Sequence, residues 1–241
     1  MLPIKDLNPT RRIPFITYGL IVANVIVFLW EQTLPLQELE DVFMNLSVVP
    51  AKVLEDPFSL ETLLDFIRSM FFHGGWAHLL GNMLYLWLFG DNLEDRMGAL
   101  LYLIFYIAGG FVASIAQIFV DPNSMIPIVG ASGAIAGVLG GYLILFPGVR
   151  VRGIIPLGLV NRIAEWPAWI VLGMWFLIQL LNGAVSVGVD TGATGGVAFF
   201  AHIGGFIAGA IMTGIFMRII PQQPPEQRRN VLYERARRYK Y

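Results

Sequence analysis

The 241 residues are 56% hydrophobic and 14% charged, carry a formal net charge of −1 and contain no cysteine, and their mean hydropathy is +0.66. An average soluble domain is roughly a quarter charged, so a water-soluble core is excluded; the near-zero charge argues against a nucleic-acid partner. Without thiols, disulfides, thiolate metal ligands and a cysteine nucleophile are excluded, and with only His73, His78 and His202 as nitrogen ligands, no metal site and no cofactor is expected.

Six apolar runs are candidates for bilayer crossings: Phe15–Trp30, Trp76–Phe89, Leu100–Val120, Gly130–Phe146, Trp166–Leu181 and Val197–Ile220. Several are shorter than the ~20 residues of a straight crossing, which calls for interfacial ends, tilt or local thinning of the bilayer. The first run ends in Trp30-Glu31-Gln32 with no small-x-small site, so it is expected to be retained as a span and not removed as a signal peptide. The long connection that follows, Glu31 to Gly75, mixes apolar with acidic positions and predicts helices lying in the membrane interface.

In the second run, His78 and Asn82 are four residues apart and share a helix face. The fourth run is bounded by Pro127 and Pro147. Its 17 residues reach only ~25 Å across a hydrocarbon layer of ~30 Å. Its outer end therefore stops below the membrane surface, and the segment from Asp121 to Val129 has to descend to meet it, which irregular backbone tolerates only inside protein or beside water. Ser132 then lies at a submerged helix N-terminus, where unpaired N–H groups and the positive dipole end suit a developing oxyanion. Pro147, Gly148, Gly153, Pro156 and Gly158 mark a basic inner loop, the glycines from Gly183 to Gly196 a flexible outer loop, and Pro224-Pro225 the end of the last helix.

Placing both ends in the cytoplasm leaves only Lys52 and Arg68 outside, of 16 basic residues, as retention of basic residues inside requires. This balance holds only for an even number of crossings. The expected architecture is an all-α membrane protein of six transmembrane helices with a short fourth helix, divided into a cytoplasmic N-terminal segment (1–14), a membrane domain (15–220) and a basic cytoplasmic tail (221–241) that meets anionic headgroups.

Polar side chains at membrane depth are costly and mark sites of chemistry. Taken singly, Ser132 would bond its own helix, Asn82 would join helices, and the stripes Gly133-x3-Gly137-x3-Gly141 and Ala201-x3-Gly205-x3-Gly209 would mean close packing. A lone His202 fits proton handling and interhelical bonding as well as catalysis. Together they fit a hydroxyl nucleophile with an imidazole base, brought together by the small-residue faces of the fourth and sixth runs.

At these residues the chain resembles the rhomboid family of intramembrane serine proteases. Gly130-Ala131-Ser132-Gly133 resembles the family's G-x-S-G motif, His73-x4-His78-x3-Asn82 its second-helix motif, Gly90-x3-Glu94-x3-Gly98 the inner turn that follows, and Ala201-His202-x2-Gly205-x3-Gly209 its last-helix motif. The resemblance implies a six-helix rhomboid-like bundle with a central fourth helix. It implies Ser132 as nucleophile, His202 as general base, and Asn82, His78 and the Ser132 backbone N–H as oxyanion donors, with Gly130, Gly133 and His73 in support. The implied substrates are transmembrane segments of other proteins entering sideways from the lipid bilayer.

Many relatives place a tyrosine four residues after the nucleophile to stack on the imidazole, whereas this chain has Ala136; the substitute expected here is an aromatic such as Phe206 or Tyr142. Trp175 and Phe176 in the fifth run are candidates for a lateral gate. Both ends inside and the small soluble share suit a prokaryotic plasma membrane. Two other classes compete: a non-catalytic membrane-protein binding or quality-control module of the same fold, and a small-solute transporter, the latter disfavoured by the lack of evident repeats and of carboxylates at depth.

Overall fold

The computed structural model describes residues 2–157, 160–186 and 197–219. Of the stretch Gly183 to Gly196 expected as an outer loop, residues 183–186 are helical, and the rest lies outside the described residues, as does the basic tail 221–241. The chain is mostly helical: α1 (Phe15–Glu31), α2 (Leu36–Leu46), α3 (Pro50–Glu55), α4 (Leu60–Arg68), α5 (Trp76–Met97), α6 (Ala99–Val120), α7 (Ser132–Leu145), α8 (Ala168–Ser186) and α9 (Phe199–Ile219).

Among the described residues α6, α8 and α9 are long and apolar enough to cross a membrane, while α1 and α7 are shorter apolar helices. The second apolar run, read as Trp76–Phe89, continues as helix α5 to Met97. Gly90 and Glu94, expected in an inner turn, are therefore helical, and the turn into α6 falls to Gly98, whose φ of 83° is a helix-ending conformation that glycine adopts without strain.

Glu94 instead closes a gap in α1. That helix begins after Pro14 with no side-chain cap of its own, leaving first-turn N–H groups without partners. The Glu94 carboxylate supplies them from the neighbouring helix, accepting hydrogen bonds from Ile16 N (2.9 Å), Thr17 N (2.8 Å) and Thr17 Oγ1 (2.8 Å). A carboxylate at a helix N-terminus also favours the helix dipole.

The expectation of an all-α chain needs correction. Strands β1 (Leu2–Asp6), β2 (Arg150–Leu157) and β3 (Val160–Pro167) form an antiparallel sheet in the order β1-β2-β3, where the prolines and glycines had suggested a loop. The pairing runs from Arg150 opposite Pro167 to Leu157 opposite Val160. Val151 faces inward, fully buried, and Arg152 bonds Glu165 across the strands at 2.9 and 2.6 Å. The β-branched residues Val151, Ile154, Ile155, Val160 and Ile163 carried this signal. Strand β1 belongs to residues 1–14 and ties them to the helices: the Asp6 carboxylate accepts from Asn92 Nδ2 (2.8 Å) and Tyr142 Oη (3.0 Å).

The core centres on α7, which is only 14 residues long and buried at every position from Gly133 to Tyr142. Its seam with α9 is backbone on backbone. Cβ atoms added at Gly205, Gly209 and Gly140 would run into the carbonyls of Gly133, Gly137 and Phe206 respectively. The expected packing of the two glycine stripes is thus realised, at a separation that a side chain would prevent.

Candidate active site

Ser132 is the first residue of α7, so its N–H has no carbonyl one turn earlier within the helix. The chain reaches it through an irregular segment that is held by protein. Ala51 N donates to Ser124 O at 3.1 Å, Ile128 N to Val48 O at 2.8 Å and Gly130 N to Ser69 O at 2.8 Å, while Val48 and Ile128 form an isolated antiparallel bridge. The first long connection, which holds the expected helices α2 to α4, supplies these partners: Ala51 from α3, Val48 from just before it and Ser69 from just after α4.

Gly130 has φ 125°, and a Cβ there would lie 2.6 Å from the His78 ring. Both facts demand glycine. They also show His78 resting against the backbone two residues before Ser132.

Ser132 Oγ and His202 Nε2 are 2.9 Å apart. On the other side of the ring, His202 Nδ1 lies 2.8 Å from Gln179 Oε1 of α8. A carbonyl oxygen only accepts, so Nδ1 carries the proton and the neutral ring presents its Nε2 lone pair to the Ser132 hydroxyl. The Trp175 ring, also on α8, packs beside the imidazole with centroids 5.9 Å apart and planes at 37°.

Neither Phe206 nor Tyr142, the two expected substitutes for the missing tyrosine, plays that part. Phe206 stacks on Trp175 and Phe176, and Tyr142 is turned to Asp6. Gln179, 8% exposed, is the contact the sequence reading missed. Its only signal was an amide inside an otherwise apolar run, the same signal that had singled out Asn82.

Asn82 and His78 line one cavity of about 700 Å³ with Gly130, Ser132, Gly133 and His202. Gln179, Trp175 and Gln117 face the same space. His73 sits behind it, buried, and does more there than the supporting role that the resemblance implies. Its Nδ1–H donates to Phe71 O (3.1 Å), which leaves Nε2 to accept from Asn82 Nδ2 (3.0 Å). The amide of Asn82 is thereby oriented, with a second N–H still to give.

Burial, and then the neighbouring His78, lower the His73 pKa to about 4, so at neutral pH the ring stays uncharged and Nε2 keeps its lone pair. A further anchor comes from the end of the first span. Glu31, 1% exposed, accepts from His73 N at 3.1 and 3.4 Å. Among the described residues no cluster of three or more His, Cys, Asp or Glu residues is placed to hold a metal ion.

Comparison with known proteins agrees with the motifs. A rhomboid-domain family model matches residues 60–219. RHOMBOID-like protein 4 of Arabidopsis thaliana is 32% identical over 169 residues, 70% of this chain and 37% of the relative. Rhomboid protein 1, mitochondrial, of Saccharomyces cerevisiae is 27% identical over 164 residues, 66% of this chain and 44% of the relative. Rhomboid protease GluP of Bacillus subtilis is 44% identical over 71 residues, 30% of this chain and 13% of the relative. The chain spans less than half the length of each of these relatives. With its long apolar helices it is a membrane-embedded, multi-pass protein, and it belongs to the rhomboid family.

Proposed function

We propose that this chain is an intramembrane serine endopeptidase that cleaves transmembrane segments of other proteins, with Ser132 as nucleophile and His202 as base. The observation that carries the reading is the 2.9 Å contact between Ser132 Oγ and His202 Nε2 at the wall of a cavity that His78, Asn82 and Gln179 also line. The proposed topology has six crossings (α1, α5, α6, α7, α8 and α9) in the membrane domain 15–220, with residues 1–14 and the tail 221–241 in the cytoplasm, consistent with the distribution of basic residues. A prokaryotic plasma membrane suits it.

In the proposed reaction His202 Nε2 takes the Ser132 hydroxyl proton as Oγ attacks the substrate carbonyl. The tetrahedral oxyanion meets the Ser132 N–H at the start of α7, the second N–H of Asn82 and the His78 side chain. His202 returns the proton to the leaving amine as the peptide C–N bond breaks, and an acyl-enzyme remains. Water, deprotonated by the same imidazole, then releases the acid and restores Ser132.

The test is reconstitution in liposomes with a model transmembrane substrate, comparing wild type with Ser132→Ala and His202→Ala. Cleavage by wild type alone supports the reading. Cleavage that survives Ser132→Ala, or a well-folded wild type that neither cleaves nor reacts with a fluorophosphonate probe, refutes it in favour of a non-catalytic module.

A further inference from the structure

Resting on the reading just given, we propose that Gln179 is the positioning residue for His202: its amide oxygen holds the ring as the Nδ1–H tautomer, so that the Nε2 lone pair faces Ser132.

The geometry allows little else. The amide oxygen is 2.8 Å from Nδ1, and the side chain is 8% exposed between the apolar neighbours Ile178 and Leu180. A buried amide at this depth is costly unless it is hydrogen-bonded, and His202 is the partner it has. If the amide were turned over, its NH₂ would donate to Nδ1, the imidazole proton would move to Nε2, and the ring would have no lone pair for the serine proton. Trp175, one turn before Gln179 on the same helix, limits rotation of the ring from its face.

Gln179 therefore does from α8 the orienting half of what an aspartate does in a triad. It does so without placing a charge in the membrane, and without the charge that would stabilise the imidazolium. The other titratable side chains facing this space are His78 and Tyr85 from α5 and Asp121 from the end of α6, so a carboxylate at position 179 would be the negative group closest to the ring.

Two variants separate orientation from packing. Gln179→Met keeps the length and apolar fit but lacks a strong acceptor. It should lower kcat and the fluorophosphonate labelling rate by on the order of 100-fold, with KM unchanged. Gln179→Glu restores an acceptor and adds charge. It should recover activity and move the acid limb of the kcat/KM profile upward by about one pH unit or more.

Nitrogen-15 spectra of histidine-labelled protein report the tautomer directly and need no turnover. We expect protonated Nδ1 at His202 in the wild type and in Gln179→Glu, and a loss of that preference in Gln179→Met. A wild-type ring protonated at Nε2, or variants that lose activity with tautomer and acid limb unmoved, would overturn the inference and leave Gln179 a packing residue. Failure of the protease reading looks different: wild type is then unreactive whatever stands at position 179, and the spectra alone decide the role of Gln179.

Discussion

Replacing Gly209 by alanine adds one methyl group to α9, and the structure sets the consequence. An ideal Cβ at Gly209 lies 2.6 Å from both the carbonyl carbon and the Cα of Gly137, and nearer still to the carbonyl oxygen. Ordinary contact begins near 3.4 Å, so the two carbons alone require α7 and α9 to separate by about 0.8 Å and the oxygen requires more, because all three obstacles are backbone. Overpacking of this kind costs typically 1–3 kcal/mol, and a clash with backbone belongs at about 3. For a domain of this size that corresponds to a fall in Tm of roughly 6–12 °C. A separation of at least about 0.8 Å, carried two turns along α9 to His202, stretches the 2.9 Å contact with Ser132 to about 3.7 Å or more, beyond hydrogen-bond range. The assay is thermal unfolding in detergent together with the rate of fluorophosphonate labelling. Gly137→Ala and Gly214→Ala serve as controls: the Cβ of the first meets nothing closer than 3.4 Å and that of the second nothing within 4 Å. Both should stay close to wild type, although Gly137 belongs to the same stripe. Equal tolerance of all three, or Gly137→Ala the most damaging, would refute the backbone-contact account.

Three further outcomes are expected. Burial, followed by the charge of Asp91, raises the Asp6 pKa to about 7. A carboxyl raised in the folded state contributes stability that is complete below its unfolded pKa of about 4 and is lost as pH rises through 7. Asp6→Asn, which keeps an acceptor for Tyr142, should therefore flatten the pH–stability curve between pH 4 and 7 and stabilise at pH 8, by at most about 4 kcal/mol; a curve unchanged from wild type in urea or thermal unfolding would contradict this. Gly130→Ala forces a positive φ on an alanine and a methyl group onto the His78 ring, so labelling at Ser132 should fall by about fivefold or more, from strain of about 1–3 kcal/mol; an unaffected rate would mean the loop has another conformation. Phe176→Ala frees a ring stacked 4.5 Å from Phe206 without removing the contact of Trp175 to His202, so, if α8 is the lateral gate, cleavage of a membrane-embedded substrate should rise while labelling by a small probe stays constant. A parallel rise in both would assign the effect to the site itself.

The meeting of Ser132 with His202 was legible because a histidine at membrane depth is rare, and because the glycine stripes of α7 and α9 fix how close two backbones can come. The short fourth run was legible for the same kind of reason: its flanking prolines bound its length. What escaped was whatever depended on knowing which helix lies beside which. Gln179 was visible as a polar residue in an apolar run, but nothing local says that α8 turns it toward His202. Glu31 and Glu94 look like the charged ends of spans until the fold shows them accepting N–H groups from a loop and from another helix. The sheet was hidden because Pro147, Gly148 and Pro156 outweighed the β-branched residues between them, and because β1 is separated from β2 by more than 140 residues.

The backbone seam between α7 and α9 has a consequence for how the surrounding lipid is felt. Two helices that touch through their peptide groups have no flexible side chains between them to absorb a load, so they tilt and shift as one piece. For the proposed reaction, a thicker or stiffer bilayer then changes how readily a guest segment reaches the interior, while the spacing of the alcohol and the ring stays that of the rigid pair.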